Sequence, residues 1–210
     1  MSRIWDISQT LRAGIPVWPG DTPYGAEPSW VMENGCPVNV ARLSLSTHTG
    51  THADAPLHYH AEGQAMAEVA LEAYIGPCLV LDVTHARGRV EPGDLPAGLP
   101  ARLERVLLKT CGRFPHEQWR ADFTAVAAAT IDLLAERGTR LIGVDSPSLD
   151  PQDAKTLDAH QRVWRHRMAI LEGLVLDDIE PGHYELIAPP LKLAHLDASP
   201  VRALLRSIDT

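Results

Sequence analysis

His48-Thr49-Gly50-Thr51-His52-Ala53-Asp54-Ala55-Pro56-Leu57-His58-Tyr59-His60 gathers four histidines and one aspartate into thirteen residues. Imidazole nitrogen and carboxylate oxygen are the ligands that hold a zinc-like cation in a catalytic site. His48 and His52 stand four apart, the spacing of two ligands on a metalloprotease helix, but no Glu follows the first and Gly50 lies between them. Gly50 and Pro56 argue for a tight turn instead of a helix. A strand precedes the turn, because over Val38 to Ser46 the apolar Leu43 and Leu45 alternate with Arg42, Ser44 and Ser46. A turn at the end of that strand aims His48, His52 and Asp54 at one point and leaves His58 free for proton transfer. A lone histidine is ordinarily a surface residue or a hydrogen-bonded core residue. Four in one turn, joined by an aspartate and interleaved with Gly, Thr and Pro, are hard to obtain from solvation or packing, so the stretch reads as a metal site and a catalytic one. His60 alternates with His58 across Tyr59, faces the other way in an extended chain, and falls outside the site.

Beyond that stretch, short runs rich in β-branched residues predict strands over Cys78 to Val83, Arg105 to Thr110, Leu141 to Val144 and Tyr184 to Ala188. Helices are predicted over Met66 to Ala73, Phe123 to Arg137 and Asp158 to His166. The second has Asp122 as N-cap, an alanine-rich interior and Gly138 just beyond its end. Strand following helix after Gly138 predicts α/β or α+β layering, a compact mixed sheet with flanking helices. The Gly/Pro-rich segments from Pro16 to Pro28 and from Pro92 to Pro100 read as surface loops. The first carries Trp18 among rigidifying prolines, so its ring is placed either in the core, as tryptophans usually are, or over a substrate as part of a lid.

The 210 residues are most simply one domain, 1–210, long enough to bury a core without staples. Apolar content of 45% and charged content of 22% are ordinary for a soluble protein. A formal net charge of −8 without any basic run argues against nucleic acid as a partner. Cys36, Cys78 and Cys111 form no Cys-x-x-Cys pair, so neither a thiolate metal site nor a disulfide framework is indicated. Free thiols, the polar start from Met1 to Gly20 and the lack of a membrane-length apolar run lead to an expectation of a cytoplasmic protein with no membrane partner. Asp145-Ser146-Pro147-Ser148 lacks the Gly-x-Ser-x-Gly elbow of a serine hydrolase and reads as a turn with side-chain-to-backbone bonds.

The pattern His-x-Gly-Thr-His-x-Asp-x-Pro-x-His resembles the signature of the cyclase-type metal-dependent hydrolases, and within them most nearly the bacterial kynurenine formamidase (arylformamidase) branch. The likeness runs along nearly the whole chain. It includes Ile15-Pro16-Val17-Trp18-Pro19-Gly20-Asp21, Leu171-Glu172-Gly173-Leu174, Pro190-Leu191-Lys192-Leu193 and Asp197-Ala198-Ser199-Pro200-Val201-Arg202-Ala203, the last with Ala198 where Gly is common. The resemblance implies a swivelling β/β/α architecture, a homodimer, and two zinc ions per chain, with Mn or Co also suited to these ligands. It implies His48, His52 and Asp54 on one ion and Asp54, His160 and Glu172 on the other, Asp54 bridging. On the residues alone His166 is as good a candidate as His160, and Glu172 could simply end a strand. The resemblance further implies that Trp18 lies in the substrate loop. The activity implied is hydrolysis of N-formyl-L-kynurenine to L-kynurenine and formate in tryptophan degradation, with His58 as acid and base. Two other readings stay open: a related cyclic-amide hydrolase such as an isatin hydrolase, and a metal-binding module without catalysis.

Overall fold

Strands β7 (Arg105–Lys109), β9 (Leu141–Val144) and β10 (Ala169–Glu172) are almost unbroken apolar runs, which is what a strand covered on both faces requires. Alternation sends Val106, Leu108, Ile142, Val144 and Ile170 to one face, where they pack with Ile131, Leu134 and Val163. Leu107, Leu141 and Leu171 go to the other face and meet Ile7, Leu174 and Leu186. The computed structural model describes residues 2–33 and 35–208. Its main sheet has nine strands in the order β1 (Ile4–Asp6), β13 (Leu204–Ser207), β11 (Gly182–Ile187), β5 (Ile75–Asp82), β7, β9, β10, β4 (His52–Asp54), β12 (Ala198–Pro200). The centre from β5 to β10 is parallel and both flanks are antiparallel. Helices α1 (Ala128–Glu136) and α2 (Asp158–His166) connect the parallel strands and cover one face. This is a mixed α/β single domain, the class the sequence predicts. Two small pairs complete it: a hairpin of β2 (Gly25–Trp30) and β3 (Val40–Ser44), and a parallel contact of β6 (Arg89–Val90) with β8 (Ala125–Val126). No helix among the described residues is long and apolar enough to cross a membrane.

Several predicted elements differ from the structure, among them the loop over Pro16 to Pro28, whose residues from Gly25 onward join β2. The helix over Met66 to Ala73 is two 3₁₀ turns, Met66–Glu68 and Leu71–Ala73, parted by extended Val69 and Ala70. The Met66 and Ala67 amides donate to the Leu196 and Leu193 carbonyls, so their bonds leave the segment instead of closing helical turns. The helix over Phe123 to Arg137 begins only at Ala128, capped by Ala127, because Ala125 and Val126 are drawn into β8. Asp122 binds Arg120 and caps nothing. The strand over Val38 to Ser46 shortens to β3 and belongs to the outlying hairpin, where Leu43 is 52% exposed instead of half-buried. Finally, only His48 sits in the turn that follows. His52 and Asp54 lie on β4, because β10 and β12 pair with it from both sides. The helix over Asp158 to His166 and the strand over Leu141 to Val144 have the predicted bounds.

Candidate metal centre

Side chains two apart on a strand share a face, so His52 and Asp54 both project from the same side of β4. The register with β10 sets Glu172 directly opposite His52, which adds a second carboxylate to that face. Helix α2 lies over it and contributes His160. Asp150 fixes the start of this helix: its carboxylate accepts from the Ala159 and His160 amides at 3.1 Å and from His160 Nδ1 at 2.7 Å. His48 comes from the turn before β4, where Gly50 takes a left-handed φ of +70°. That turn is stapled to the end of β10, since Thr51 Oγ1 donates to the Gly173 carbonyl at 2.6 Å and Gln9 Nε2 to the same oxygen at 3.0 Å.

The result is a closed constellation. His52 Nε2 lies 3.4 Å from Asp54 Oδ1 and 3.4 Å from Glu172 Oε2. His160 Nε2 lies 3.5 Å from Asp54 Oδ2 and 3.5 Å from Glu172 Oε1. Each carboxylate therefore turns one oxygen to each imidazole. His48 Nδ1 approaches Asp54 Oδ1 at 3.1 Å, off the line of a hydrogen bond. Behind these atoms every ring is anchored from outside. His52 Nδ1 donates to the Gly50 carbonyl at 2.9 Å, His160 Nδ1 to Asp150, and His48 Nε2 to Asp197 at 3.0 Å. An outward donor turns the inner nitrogen toward the cluster, where it can ligate once it gives up its proton.

Whether these residues suit a cation can be tested on the atoms themselves. His52 Nε2, His160 Nε2 and both Asp54 carboxylate oxygens are buried without a hydrogen-bond partner. Leaving four such atoms orphaned at one spot is costly unless something else satisfies them. His48, His52 and Asp54 bring ligand atoms within 4.8 Å of one another, as do Asp54, His58 and His160. The electrostatics agree. Burial disfavours charge on His48, yet Asp54 and Asp197 outweigh it and raise the ring to about 9. Burial likewise opposes charge on His160, and Asp150, Asp54 and Glu172 still carry it well above the usual imidazole range. Asp54 is held well below the ordinary carboxylate range despite full burial, by His160 and His48. The carboxylates thus favour positive charge at this spot, which a divalent cation held by His, Asp and Glu would supply.

His58 ends a 3₁₀ turn, Pro56–His58, with its ring centroid 4.2 Å from that of His48 and 6.0 Å from that of His160. His60 turns away and stacks on Trp164 at 4.2 Å. His166 binds Asp132 at 2.7 Å on the outer side of α2, so of the two histidines weighed for this helix the structure brings only His160 to the cluster. Trp18 neither joins the main core nor stands free. It packs edge-on against Trp119 at 5.2 Å and Phe123 at 6.5 Å. With His48, His52, His58 and Glu172 these rings line a cavity of about 420 Å³. Cys111 is half-buried in that wall beside Asp145, while Cys78 lies in the core. The Asp145-Ser146-Pro147-Ser148 segment is a turn in which Ser146 Oγ donates to the Ser148 carbonyl at 2.9 Å.

Sequence reasoning passes over Asp150 and Asp197, which orient cluster imidazoles without belonging to the histidine run, and over Trp119 and Phe123. Asp197 carries a signal only as the first residue of the Asp197-Ala198-Ser199-Pro200 stretch. Nothing local marks Asp150.

Residues 5–151 match the family described as "Putative cyclase". Among solved structures, the chain is similar to a "potential metal-dependent hydrolase with cyclase activity" at 28% identity and a TM-score of 0.86, with all of both chains covered. A predicted metal-dependent hydrolase from Bacillus stearothermophilus matches at 31% identity and a TM-score of 0.84 over 98% of each chain. Isatin hydrolase A from Labrenzia aggregata, bound to benzyl benzoate, matches at 25% identity and a TM-score of 0.86 over 99% of this chain and 94% of that one. A histidine–carboxylate cluster with orphaned inner atoms, a cavity opening on it and these likenesses converge: the chain belongs to the "Putative cyclase" family and has the fold of its metal-dependent hydrolases.

Proposed function

We propose that the protein is an arylformamidase that hydrolyses N-formyl-L-kynurenine to L-kynurenine and formate, with two divalent cations, zinc by preference, per chain. The observation that carries this reading is the aromatic wall of Trp18, Trp119 and Phe123 on the same cavity as the His/Asp/Glu cluster. An aryl ring stacks on such a wall, and its amide is thereby held at the polar end. His48, His52 and Asp54 would hold one cation, and Asp54, His160 and Glu172 the other. A bound divalent cation of this kind makes water nucleophilic near neutral pH and polarises a carbonyl. The chain's own part is positioning and proton transfer. His58 Nδ1 faces Asp197 and its ring lines the cavity, so its second nitrogen is free to take a proton from water and give it to the departing arylamine. That transfer is needed because an anilide anion is a poor leaving group.

A second reading, hydrolysis of a cyclic aryl amide, is favoured by the likeness to isatin hydrolase A. A non-catalytic metal module accounts less well for an open cavity with His58 at its edge. Turnover of N-formyl-L-kynurenine and of isatin by metal-replete protein, followed as formate release and ring opening, separates the three. Formate release is expected to dominate, and faster isatin opening would overturn the assignment. A homodimer belongs to this reading too. It is supported by the β2–β3 hairpin, which exposes Trp30, Met32 and Leu43, since two strands alone are barely stable in water. Sedimentation tests it. A cytoplasmic setting is supported by three unpaired cysteines.

A further inference from the structure

We infer that Asp197 is a positioning residue, one carboxylate oxygen that orients the acid–base imidazole of His58 and the cluster imidazole of His48 together. This rests on the hydrolytic reading of the site and goes beyond it. Asp197 Oδ2 lies 3.0 Å from His48 Nε2 and 3.4 Å from His58 Nδ1. The other oxygen, Oδ1, accepts from Thr47 Oγ1 at 3.0 Å, so the carboxylate cannot simply rotate away. Its backbone is fixed as well. The Asp197 carbonyl accepts from the Ala55 amide at 2.8 Å, and the next residue, Ala198, pairs with Asp54 across β12 and β4. The strand pairing that builds the cluster therefore delivers this carboxylate to its rim.

The consequence for His58 follows from what a carboxylate can do. An ionised carboxylate only accepts, so both imidazoles must donate to it. His58 then carries its proton on Nδ1 and presents a bare Nε2 to the cavity it lines. No other hydrogen bond fixes the His58 ring among the described residues, and it sits on a single 3₁₀ turn. Without Asp197 the ring can rotate and exchange tautomers, and the nitrogen that has to reach the leaving group is no longer held in place. The shorter contact to His48 offers a plainer role, in which Asp197 serves only the metal ligand, as outer partners of ligating histidines commonly do. The two roles differ in what they leave behind when Asp197 is changed.

The test uses metal-replete wild-type, Asp197→Asn and Asp197→Ala proteins, the near-isosteric Asn variant guarding against a failure of Ala to fold. Long-range proton–nitrogen correlation spectra of the imidazoles are expected to show His58 protonated on Nδ1 in wild type and shifted toward Nε2 in both variants. On an aryl formamide kcat should fall by about 10–100-fold with KM little changed, the range seen when a histidine's outer partner is lost. An activated formyl ester, which needs no proton on its leaving group, should lose far less. In a His58→Ala background the Asp197 changes should cost less than in wild type, because only the part that acts through His48 remains. The inference is overturned if activity falls only in step with metal content by elemental analysis, if His58 keeps its Nδ1 proton in the variants, or if the two losses simply add. Should wild type cleave no aryl formamide at all, the proposed function fails, and the imidazole spectra still decide the role of Asp197.

Discussion

Gly50 and Gly173 meet between the turn that carries His48 and the end of β10: a Cβ at Gly173 would lie 2.7 Å from the Gly50 carbonyl oxygen. That oxygen is the acceptor that orients His52, so the close approach of two backbones sets the direction of a cluster imidazole. Gly173 also has a φ of +64°, where a side chain is strained. Gly173→Ala is therefore expected to cost about 1–3 kcal/mol from backbone strain and to weaken cation binding as well. Gly88→Ala provides the comparison, because Gly88 has a φ of +72° with nothing within 4 Å of its Cβ position. Urea unfolding and metal titration of both variants check this. Equal effects at the two positions would show that the contact with Gly50 does not matter.

Asp54 faces both imidazoles that the sheet and α2 bring together, His52 through Oδ1 and His160 through Oδ2. Asp54→Ala should leave no cation bound, whereas Glu172→Ala should release mainly one, since His48, His52 and Asp54 remain. Elemental analysis after gel filtration reads this directly. Full metal content in Asp54→Ala protein would refute the bridging role.

The His48 proton competes with any cation for the inner face of the cluster. Burial lowers that ring, Asp54 and Asp197 raise it further, and the net value is about 9, above the ordinary 6.5. Below about 9 the proton has to be displaced before His48 can ligate, so cation affinity should climb as pH rises from 6.5 and level off near 9. In the metal-free protein the sign reverses for stability. A raised folded-state pKa contributes stability that is complete below 6.5 and lost as pH rises through about 9. Metal-free protein should thus melt lower at alkaline pH, while its cation binds more tightly. Titration calorimetry and thermal melts across this range check both directions, and affinity that is flat with pH would remove His48 from the ligand set.

How much of this was readable beforehand depends on where the determining contact lies. The apolar runs of β7 and β9 and the amphipathic α2 carry their own patterns, and their positions follow from local sequence. The histidine run is legible because its cluster-forming residues are close in sequence. Glu172 is not, because its meeting with His52 is a cross-strand register between segments far apart in the chain, and only family likeness pointed to it. The choice between His160 and His166 turns on helix phase. His160 shares the buried side of α2 with Ala159 and Val163, a signal the spacing of those apolar residues contains. β4 itself was hidden by Gly50 and Pro56, whose turn preferences were overridden where β10 and β12 supplied pairing on both edges.

Trp18 meets Trp119 and Phe123 edge-on, and the three rings form an aromatic wall on the cavity. Trp18→Ala should keep its metal content and raise KM for an aryl formamide by roughly fivefold, the equivalent of about 1 kcal/mol for one aromatic contact. Aliphatic formamides, which lack a π face, should be affected little. An unchanged KM for N-formyl-L-kynurenine would place the substrate ring elsewhere in the cavity.

His58 stands beside the cluster without the buried, orphaned nitrogens that mark His52 and His160, and its side chain is 34% exposed. Pro56 at the start of its 3₁₀ turn holds the backbone, and the His58 Nδ1–H donates to Asp197 Oδ2 at 3.4 Å. A group so placed can exchange protons with solvent between turnovers, which a buried ligand cannot do while bound to a cation. His58→Ala should therefore keep fold and metal content and lose turnover of aryl formamides by roughly 10²–10⁴-fold, the usual weight of general acid–base catalysis. The loss should shrink sharply for an activated formyl ester, whose leaving group departs without a proton. Because Asp54, His58 and His160 also come close enough to share a cation, the alternative outcome is well defined. Metal lost in proportion to activity would make His58 a ligand, and the proton would then have to reach the amine by another route.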